Sequence, residues 1–472
     1  MRSPSPDHTN ESALVIGAGI AGLRVALDLA RNGVAVTLVE RAPFVGGSMA
    51  ARLSDDTDTF GLPPGFELPK PIQLGEQADI EVLTLAEVIE LTGSAGAFTA
   101  TIRQVGRYVT DACTQCNRCH VACPVVVPNE YHSGLTARKA IYTPFRDAYP
   151  GTYVIDAEHC LNRPPNYMPC QRCVEVCDDN AIHFDIPRET TLTRKACSVV
   201  LATGFRLETP EDLRKAGYGE HPDVLTYLEL EHLLSPSGPS GGYPEKPSTG
   251  NSPDSILYVV HDASRFSTLC AIGQCERLVA REIGSVLVLH PAKTAQGDPF
   301  AEYWIRHCKC HVDLVEGELE RISPVDDDSF RVKYRPQGAV MSTTQRFDMV
   351  VFTTAVNPPD DMERMADVLG IELSPAGFAQ LGDRDGGLVS TSKPGIYVAG
   401  CACGPKDMAN SIAEAKAAAV HAMRHVRRPH VAASADSGSA NMSGNGNRMT
   451  EAEMQERLRV ALLQLMAPPN RS

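Results

Sequence analysis

The sequence predicts an α/β chain in which a parallel-sheet domain is interrupted by a cysteine-rich insert, and three stretches predict it. Near the N-terminus a short apolar run passes through closely spaced glycines into a helical pattern and then a second apolar run. Between Cys113 and Cys177 lie eight of the 15 cysteines. Apolar runs within 198–204 and 394–400 then supply further strands for the first domain, with a second set of strand candidates between them.

At 472 residues the chain is long enough for two or three cores. Its 43% apolar and 22% charged residues are those of an ordinary globular protein. A formal net charge of −14 speaks against nucleic acid or an anionic membrane surface as the main partner. No window approaches the ~18 uninterrupted apolar residues of a transmembrane segment. The opening M-R-S-P-S-P-D-H-T-N-E-S lacks the apolar stretch of an export signal. The cysteines are therefore expected to act as thiols or metal ligands in a reducing, cytoplasmic setting.

After an N-terminus expected to be disordered (1–11), Ala13-Leu14-Val15-Ile16 reads as a buried parallel strand. It runs into Gly17-Ala18-Gly19-Ile20-Ala21-Gly22, then a helix closed by Gly33, then a strand from Val34 to Val39 ending on Glu40. Gly17 serves the turn, Gly19 admits a pyrophosphate close to the backbone, and Gly22 lets the helix lie against the sheet. The phosphates fall at the helix N-terminus, and Glu40 is placed to accept from ribose hydroxyls. A glycine-rich turn of some other α/β protein is the plain alternative. Strand, glycines, helix, strand and acid within ~30 residues argue against it. Gly46-Gly47 gives a second close backbone approach, which suits the longer nucleotide FAD.

The first cysteine group, C-T-Q-C-N-R-C-H-V-A-C-P, holds Cys113, Cys116, Cys119 and Cys123. This is the spacing of ferredoxin-type loops, in which three thiolates grip one cubane and the fourth reaches the other. Zinc also binds paired C-x-x-C, but it needs only four ligands. The second group is Cys160, Cys170, Cys173 and Cys177, with nine residues between its first two members and Asp178 in place of proline. By pseudo-symmetry one [4Fe–4S] cluster falls to Cys113, Cys116, Cys119 and Cys177, and the other to Cys160, Cys170, Cys173 and Cys123. The long loop leaves the part of Cys160 open, although loop closure costs grow slowly with length. Ala181 to Phe184 is expected as a short strand.

Residues from about Ile256 to Thr354 read as a second α/β domain, with strands at Ile256 to His261, Val286 to His290 and Met349 to Phe352. No G-x-G-x-x-G follows its first strand, so a nicotinamide in the usual second site is not expected. The linkers Ser235 to Asp254 and Val431 to Arg448 read as mobile, and Glu451 to Leu465 as a helix that packs on its own chain or docks elsewhere. His307-Cys308-Lys309-Cys310-His311 is geometrically poor as a metal site, because neighbouring residues point different ways. Cys308 and Cys310 read instead as structural thiols, and Cys270 and Cys275 lack the C-x-x-C spacing of a redox disulfide. Cys401 and Cys403 would border the flavin as small buried residues.

The run Ser198 to Gly204, ending Ala-Thr-Gly, and the Ala-rich helix after Gly400 resemble two-dinucleotide-domain flavoproteins of the thioredoxin-reductase-like class. With the cysteine module nested between, the chain resembles the A subunit of heterodisulfide reductases and their bacterial relatives. The stretches that carry the likeness are Leu14 to Gly47, Cys113 to Pro128 with N-E-Y-H-S-G-L-T-A-R-K-A-I-Y-T-P-F, and Gly395 to Ala419. The resemblance implies a FAD-carrying subunit, wired by two [4Fe–4S] clusters, of a larger complex handling thiol or disulfide sulfur; a homodimer is also expected. Alternatives are the flavin subunit of a quinone-interacting complex and a self-contained NAD(P)H-dependent reductase. The cofactor set is then expected at Gly17, Gly19, Ile20, Ala21, Gly22, Glu40, Arg41, Gly46, Gly47, Val88, Ala202, Thr203, Gly204, Gly400, Lys406 and Asp407. The expected division is FAD-domain pieces at 12–106, 191–235 and 361–428, the module at 107–190, the second domain at 236–360, and a linker and helix at 429–472. Three departures point to a bacterial short form: no cysteine in Ser48 to Ala78, an expanded second cluster loop, and no inserted reductase domain.

Overall fold

A computed structural model describes residues 12–49 and 69–426, apart from 146, 163–167, 208–212, 215–216, 237, 261–264, 292–311, 326–328 and 383–386. The predicted disordered N-terminus, the 307–311 motif, the linker at 431–448 and the helix at 451–465 lie outside the described residues.

The first strand, β1 (Ser12–Ile16), leads into α1 (Ile20–Arg31) and β2 (Ala35–Val39); β3 (Ile80–Leu83) follows. An antiparallel pair comes next, β4 (Ala86–Ser94) and β5 (Ala97–Val105). The cysteine module then contributes two short helices, α2 (Arg118–Ala122) and α3 (Arg172–Glu175), before β6 (Glu189–Ala196) and β7 (Ser198–Leu201). A second sheet region is built from β8 (Val224–Thr226), α4 (Tyr227–Leu234), β9 (Ser255–Val259), α5 (Arg265–Ala280), β10 (Ser285–His290), β11 (Val312–Val325), β12 (Ser329–Pro336), β13 (Thr343–Phe347) and β14 (Met349–Phe352). The chain closes with α6 (Met362–Leu369), β15 (Ile396–Val398) and α7 (Met408–Met423).

The first sheet is five-stranded and parallel throughout, in the order β15-β7-β1-β2-β3. Alternate strand residues point to opposite faces, and both faces are covered, which is why these strands read as unbroken apolar runs. Ala13, Val15, Val36 and Val200 pack on α1 and the small residues Ala415, Ala418 and Ala422 of α7. Leu14, Ile16, Val199 and Leu201 pack instead on Val88, Phe98 and Ile102 of the β6-β5-β4 sheet and on Met362 and Met365 of α6.

The cysteine module grows from the end of the β5–β6 hairpin, where Val105 pairs with Glu189 and the Gly106 N–H donates to the Arg188 carbonyl at 2.9 Å. Its small core joins Tyr108, Ile141, Tyr153 and Ile155 to Cys119 and Cys173. The stretch Ala181 to Phe184 forms an isolated bridge from Ile182 to Val109 rather than a full strand.

The second sheet has seven strands, ordered β8-β14-β9-β10-β11-β12-β13. It starts at Val224 rather than at 236, because Val224–Thr226 pairs in parallel with Val350–Phe352. Strands β11, β12 and β13 are absent from the sequence-based expectation, because their charged, partly exposed faces hide them from an apolar-run criterion. The Pro-, Gly- and Ser-rich stretch 235–254, expected to be mobile, is tied down at several points. Ser248 donates from both N–H (2.9 Å) and Oγ (2.5 Å) to the fully buried Asp223, and the buried Lys246 ammonium stands 3.8 Å from that carboxylate.

Candidate functional site

Because the first sheet is wholly parallel, the residues that follow its strands meet on one edge. Gly17 leaves β1, Glu40 leaves β2, Ala202-Thr203-Gly204 leave β7 and Gly400 lies just past β15. Open parallel sheets bind ligands over this edge, where the strand order reverses, here beside β1.

Gly17 has φ +98°, and a Cβ there would lie 2.4 Å from the Ala202 carbonyl oxygen. A Cβ on Gly22 would lie 1.8 Å from the Gly17 oxygen, so both positions are closed to side chains by backbone. Gly19 differs: it caps α1 in an ordinary extended conformation, and a Cβ on it would meet nothing within 4 Å. The second glycine pair folds over this opening. The Gly46 N–H donates to the Ala18 carbonyl at 2.8 Å, and a Cβ on Gly47 would lie 3.0 Å from the Gly19 Cα. Ile20 and Ala21 begin the helix, whose first turn holds no acidic residue. The result is a backbone-lined hollow at a helix N-terminus, suited to an anion by its unpaired N–H groups and dipole.

Glu40 closes the side of the hollow. Its carboxylate accepts from the Ala18 N–H at 2.7 Å and from the Ala42 N–H at 2.8 Å. Burial raises its pKa, while those N–H donors and Arg41 act in the opposite sense. One acceptor site per oxygen is thereby used, which leaves lone pairs for ribose hydroxyls. Thr203 carries a buried hydroxyl with no hydrogen-bond partner among the described residues, on the same edge. Buried polar atoms are rarely left so, and a dinucleotide lying over the sheet would satisfy it. The residues present thus fit FAD.

The other expected contacts are placed as follows. Val88 is fully buried in the core, so only its main chain could meet a ligand, at a register shift between Val88 and Glu90. The largely exposed Arg41 guanidinium is 3.3 Å from Asp361. Gly400 presses on α1, since a Cβ there would be 2.9 Å from that of Ala21. Asp407 caps α7 by accepting from the Asn410 N–H at 2.7 Å. Lys406 donates to both oxygens of Glu414 at 2.6 Å and to the Cys403 sulfur at 3.0 Å. Burial lowers the Lys406 pKa, but the thiol and carboxylate outweigh it, and the net direction is up. Sequence reasoning misses the Glu414 partner, because an ordinary glutamate within a helix carries no motif.

In the cysteine module the chain curls sharply: Gln115 (φ +56°) and Asn117 (φ +67°) are both left-handed, between Cys113, Cys116 and Cys119. The buried Cys119 has Cys113, Cys116 and Cys177 as thiol neighbours, and burial, then those neighbours, push its pKa up to about 11. The buried Cys173 has Cys160, Cys123, Cys119 and Cys170 as thiol neighbours, and burial first, then these thiols, push it up to about 12. Cys123, Cys160, Cys170 and Cys173 also line one cavity, walled by Pro124, Ile141 and Ile155. The Ala181 N–H donates to the Cys177 sulfur at 3.4 Å. The thirteen described cysteines are all free thiols. Among the described residues no three ligating side chains close on one point as a single ion requires. The donor chemistry nevertheless fits iron–sulfur cubanes, which take two sets of four soft thiols such as these, one of them carried on a tightly curled loop.

Residues 13–122 match the family model described as FAD dependent oxidoreductase. It is 36% identical over 432 residues to the first iron-sulfur A subunit of the CoB--CoM heterodisulfide reductase of Methanopyrus kandleri, covering 87% of this chain and 63% of that one. It is 33% identical over 427 residues to the iron-sulfur A subunit of the CoB--CoM heterodisulfide reductase of Methanocaldococcus jannaschii, with coverage of 87% and 63%. Among solved structures, Lactococcus lactis thioredoxin reductase aligns at 14% identity with a TM-score of 0.47, over 88% of this chain and 99% of that one. The chain is similar to heterodisulfide reductase A subunits along most of its own length and spans about 63% of the length of the curated relatives it matches. No helix among the described residues is long and apolar enough to cross a membrane.

Proposed function

We propose that this chain is the FAD- and iron–sulfur-containing electron-transfer subunit of a heterodisulfide-reductase-like complex in cytoplasmic sulfur metabolism, working with other subunits and pairing as a homodimer. What supports the reading is the presence, in one chain, of the dinucleotide hollow and of eight cysteines in which Cys119 and Cys173 each have thiol neighbours from both cysteine groups. Bound FAD supplies conversion between two-electron and one-electron chemistry, and clusters supply the one-electron path. The chain's own residues do the rest. Gly19, Gly47 and the start of α1 hold the pyrophosphate, and Glu40 orients the ribose. Lys406, clamped by Glu414, fixes a positive charge beside Gly400 and the start of α7. Cys113, Cys116, Cys119 and Cys177 hold one cluster, and Cys123, Cys160, Cys170 and Cys173 the other. Sulfur chemistry falls to partner subunits, because β9 leads into α5 without a glycine fingerprint that would admit a nicotinamide. Anaerobic FAD, iron and acid-labile sulfide analysis tests this, with one FAD and about eight iron atoms per chain expected. Protein that reconstitutes with FAD but no iron would overturn it.

A further inference from the structure

Arg107 stands between the end of β5 and the first cysteine group, largely withdrawn from water. Its Nε donates to Thr152 Oγ1 at 2.8 Å and to the Tyr153 carbonyl at 3.1 Å. Nη1 donates to the Pro43 carbonyl at 2.5 Å and to Thr84 Oγ1 at 3.4 Å, and Nη2 to the Thr152 carbonyl at 2.9 Å. The guanidinium also lies over the ring of the buried Phe44, 4.5 Å from its centroid. Every one of these acceptors is neutral, and among the described residues no carboxylate forms an ion pair with the cation.

A largely buried charge with no ion-paired partner is expensive, by up to several kcal/mol. Burial pulls the Arg107 pKa down to about 10, which still leaves it charged at neutral pH. The position of the side chain suggests what offsets the cost. On one side it holds the Pro43-Phe44 turn, three residues before the Gly46-Gly47 wall of the dinucleotide hollow. On the other it holds Thr152-Tyr153, and the Tyr153 hydroxyl donates at 2.8 Å to the side chain of Asn117, between Cys116 and Cys119. The Cys113 thiol and Asp111 lie within its field.

Resting on the iron–sulfur assignment above, we propose that Arg107 is the counter-charge of the cluster held by Cys113, Cys116, Cys119 and Cys177. It is a positioning residue that raises the reduction potential of this cluster and makes it the flavin's first one-electron acceptor. A tetrathiolate cluster is anionic and gains one more negative charge on reduction, so a fixed buried cation favours the reduced form. The thiol that weighs on the guanidinium is Cys113, a member of the first set.

The test is an anaerobic redox titration of the full chain followed by electron paramagnetic resonance, with iron content measured alongside. In Arg107→Met one of the two cluster midpoints should fall by about a tenfold change in the reduced-to-oxidised ratio, ~59 mV for one electron, while the other stays. Arg107→Lys, which keeps the charge, should fall less. Thr84→Asp places a carboxylate beside Nη1 and neutralises the charge without removing the side chain, so it should shift the same midpoint the same way. Iron kept in Arg107→Lys but lost from both neutralised variants also supports a counter-charge. Unchanged midpoints in iron-loaded Arg107→Met or Thr84→Asp, or iron lost from all three variants, would overturn the proposal. A wild-type chain that takes up no iron would instead overturn the iron–sulfur reading itself.

Discussion

Gly19 and Gly22 separate ligand binding from folding in a single helix turn. A Cβ on Gly22 would sit 1.8 Å from the Gly17 carbonyl oxygen, and since that atom is backbone of the β1 turn, α1 must move away from the sheet. With Ala21, Leu23, Val25 and Ala26 all buried beneath that helix, Gly22→Ala should cost upwards of ~3 kcal/mol, in the range of severe core overpacking. Gly19→Val meets no such obstacle: φ is −73°, ψ is −174° and nothing lies within 4 Å of the new Cβ. Apo-protein stability should therefore change by no more than about 0.5 kcal/mol. The side chain would stand where the pyrophosphate approaches, at the expense of one or two charge-assisted N–H bonds of ~1.5–3 kcal/mol each. FAD affinity should fall by roughly ten- to ten-thousandfold, at 1.4 kcal/mol per tenfold. The assay is calorimetric titration of FAD into apo protein, with thermal melts of both apo variants. A Gly19→Val protein that purifies yellow with full FAD, or whose apo form melts as early as that of Gly22→Ala, would refute the reasoning.

Three further outcomes are expected. Cys177→Ala and Cys170→Ala should each lower iron from about eight to about four atoms per chain, measured with acid-labile sulfide; a wild-type value of about four would mean that the Cys160 loop does not complete its set. NADH and NADPH should bleach the flavin band of the isolated chain slowly or not at all in anaerobic stopped flow, and a rapid, saturable bleach would make the chain a reductase in its own right. Burial raises the Glu40 pKa, so its acceptor oxygens are lost as pH falls through that raised value, sooner than those of an exposed glutamate. FAD affinity should weaken correspondingly on acidification. Glu40→Gln should weaken it about ten- to a hundredfold at neutral pH, for ~1.5–3 kcal/mol in charged hydrogen bonds, and flatten the pH dependence; an unaltered acid fall in that variant would exclude Glu40 as the group responsible.

What is legible in the sequence is what local spacing dictates. The β1–glycine–α1–β2 unit fits in one continuous stretch, so its glycines and Glu40 announce the hollow without knowledge of anything distant. The cysteines likewise suggest the two proposed sets through C-x-x-C spacing and pseudo-symmetry. The features not legible depend on contacts between remote segments. Arg107 meets acceptors 45 and 64 positions away, most of them main-chain carbonyls whose residue type leaves no trace. The stretch 235–254 has the composition of a mobile linker, yet Asp223, 25 positions from Ser248, anchors it. The β11–β12 pair escapes notice because its outward residues are charged and its inward ones are few, Phe330, Val332 and Tyr334 among them.

The site of insertion explains how a cysteine-rich module and a dinucleotide domain coexist in one chain. Val105 and Glu189 are cross-strand partners, so the module enters and leaves at adjacent positions of one hairpin. Its removal would leave an ordinary antiparallel pair, and its presence demands no rearrangement of the parallel sheet. Loop-closure cost rises slowly with length, so a long insert at a hairpin end is tolerated thermodynamically. Tolerance does not place the module for electron transfer, because a hairpin end is free to swing. Position comes from contacts that cross back to the first domain: the Arg107 bonds to Pro43 and Thr84, and the Val45 N–H to the Tyr149 carbonyl at 2.9 Å. These tie the module to the turn that carries Gly46 and Gly47. The hairpin made the insertion possible, and the 43–47 turn couples it to the dinucleotide site.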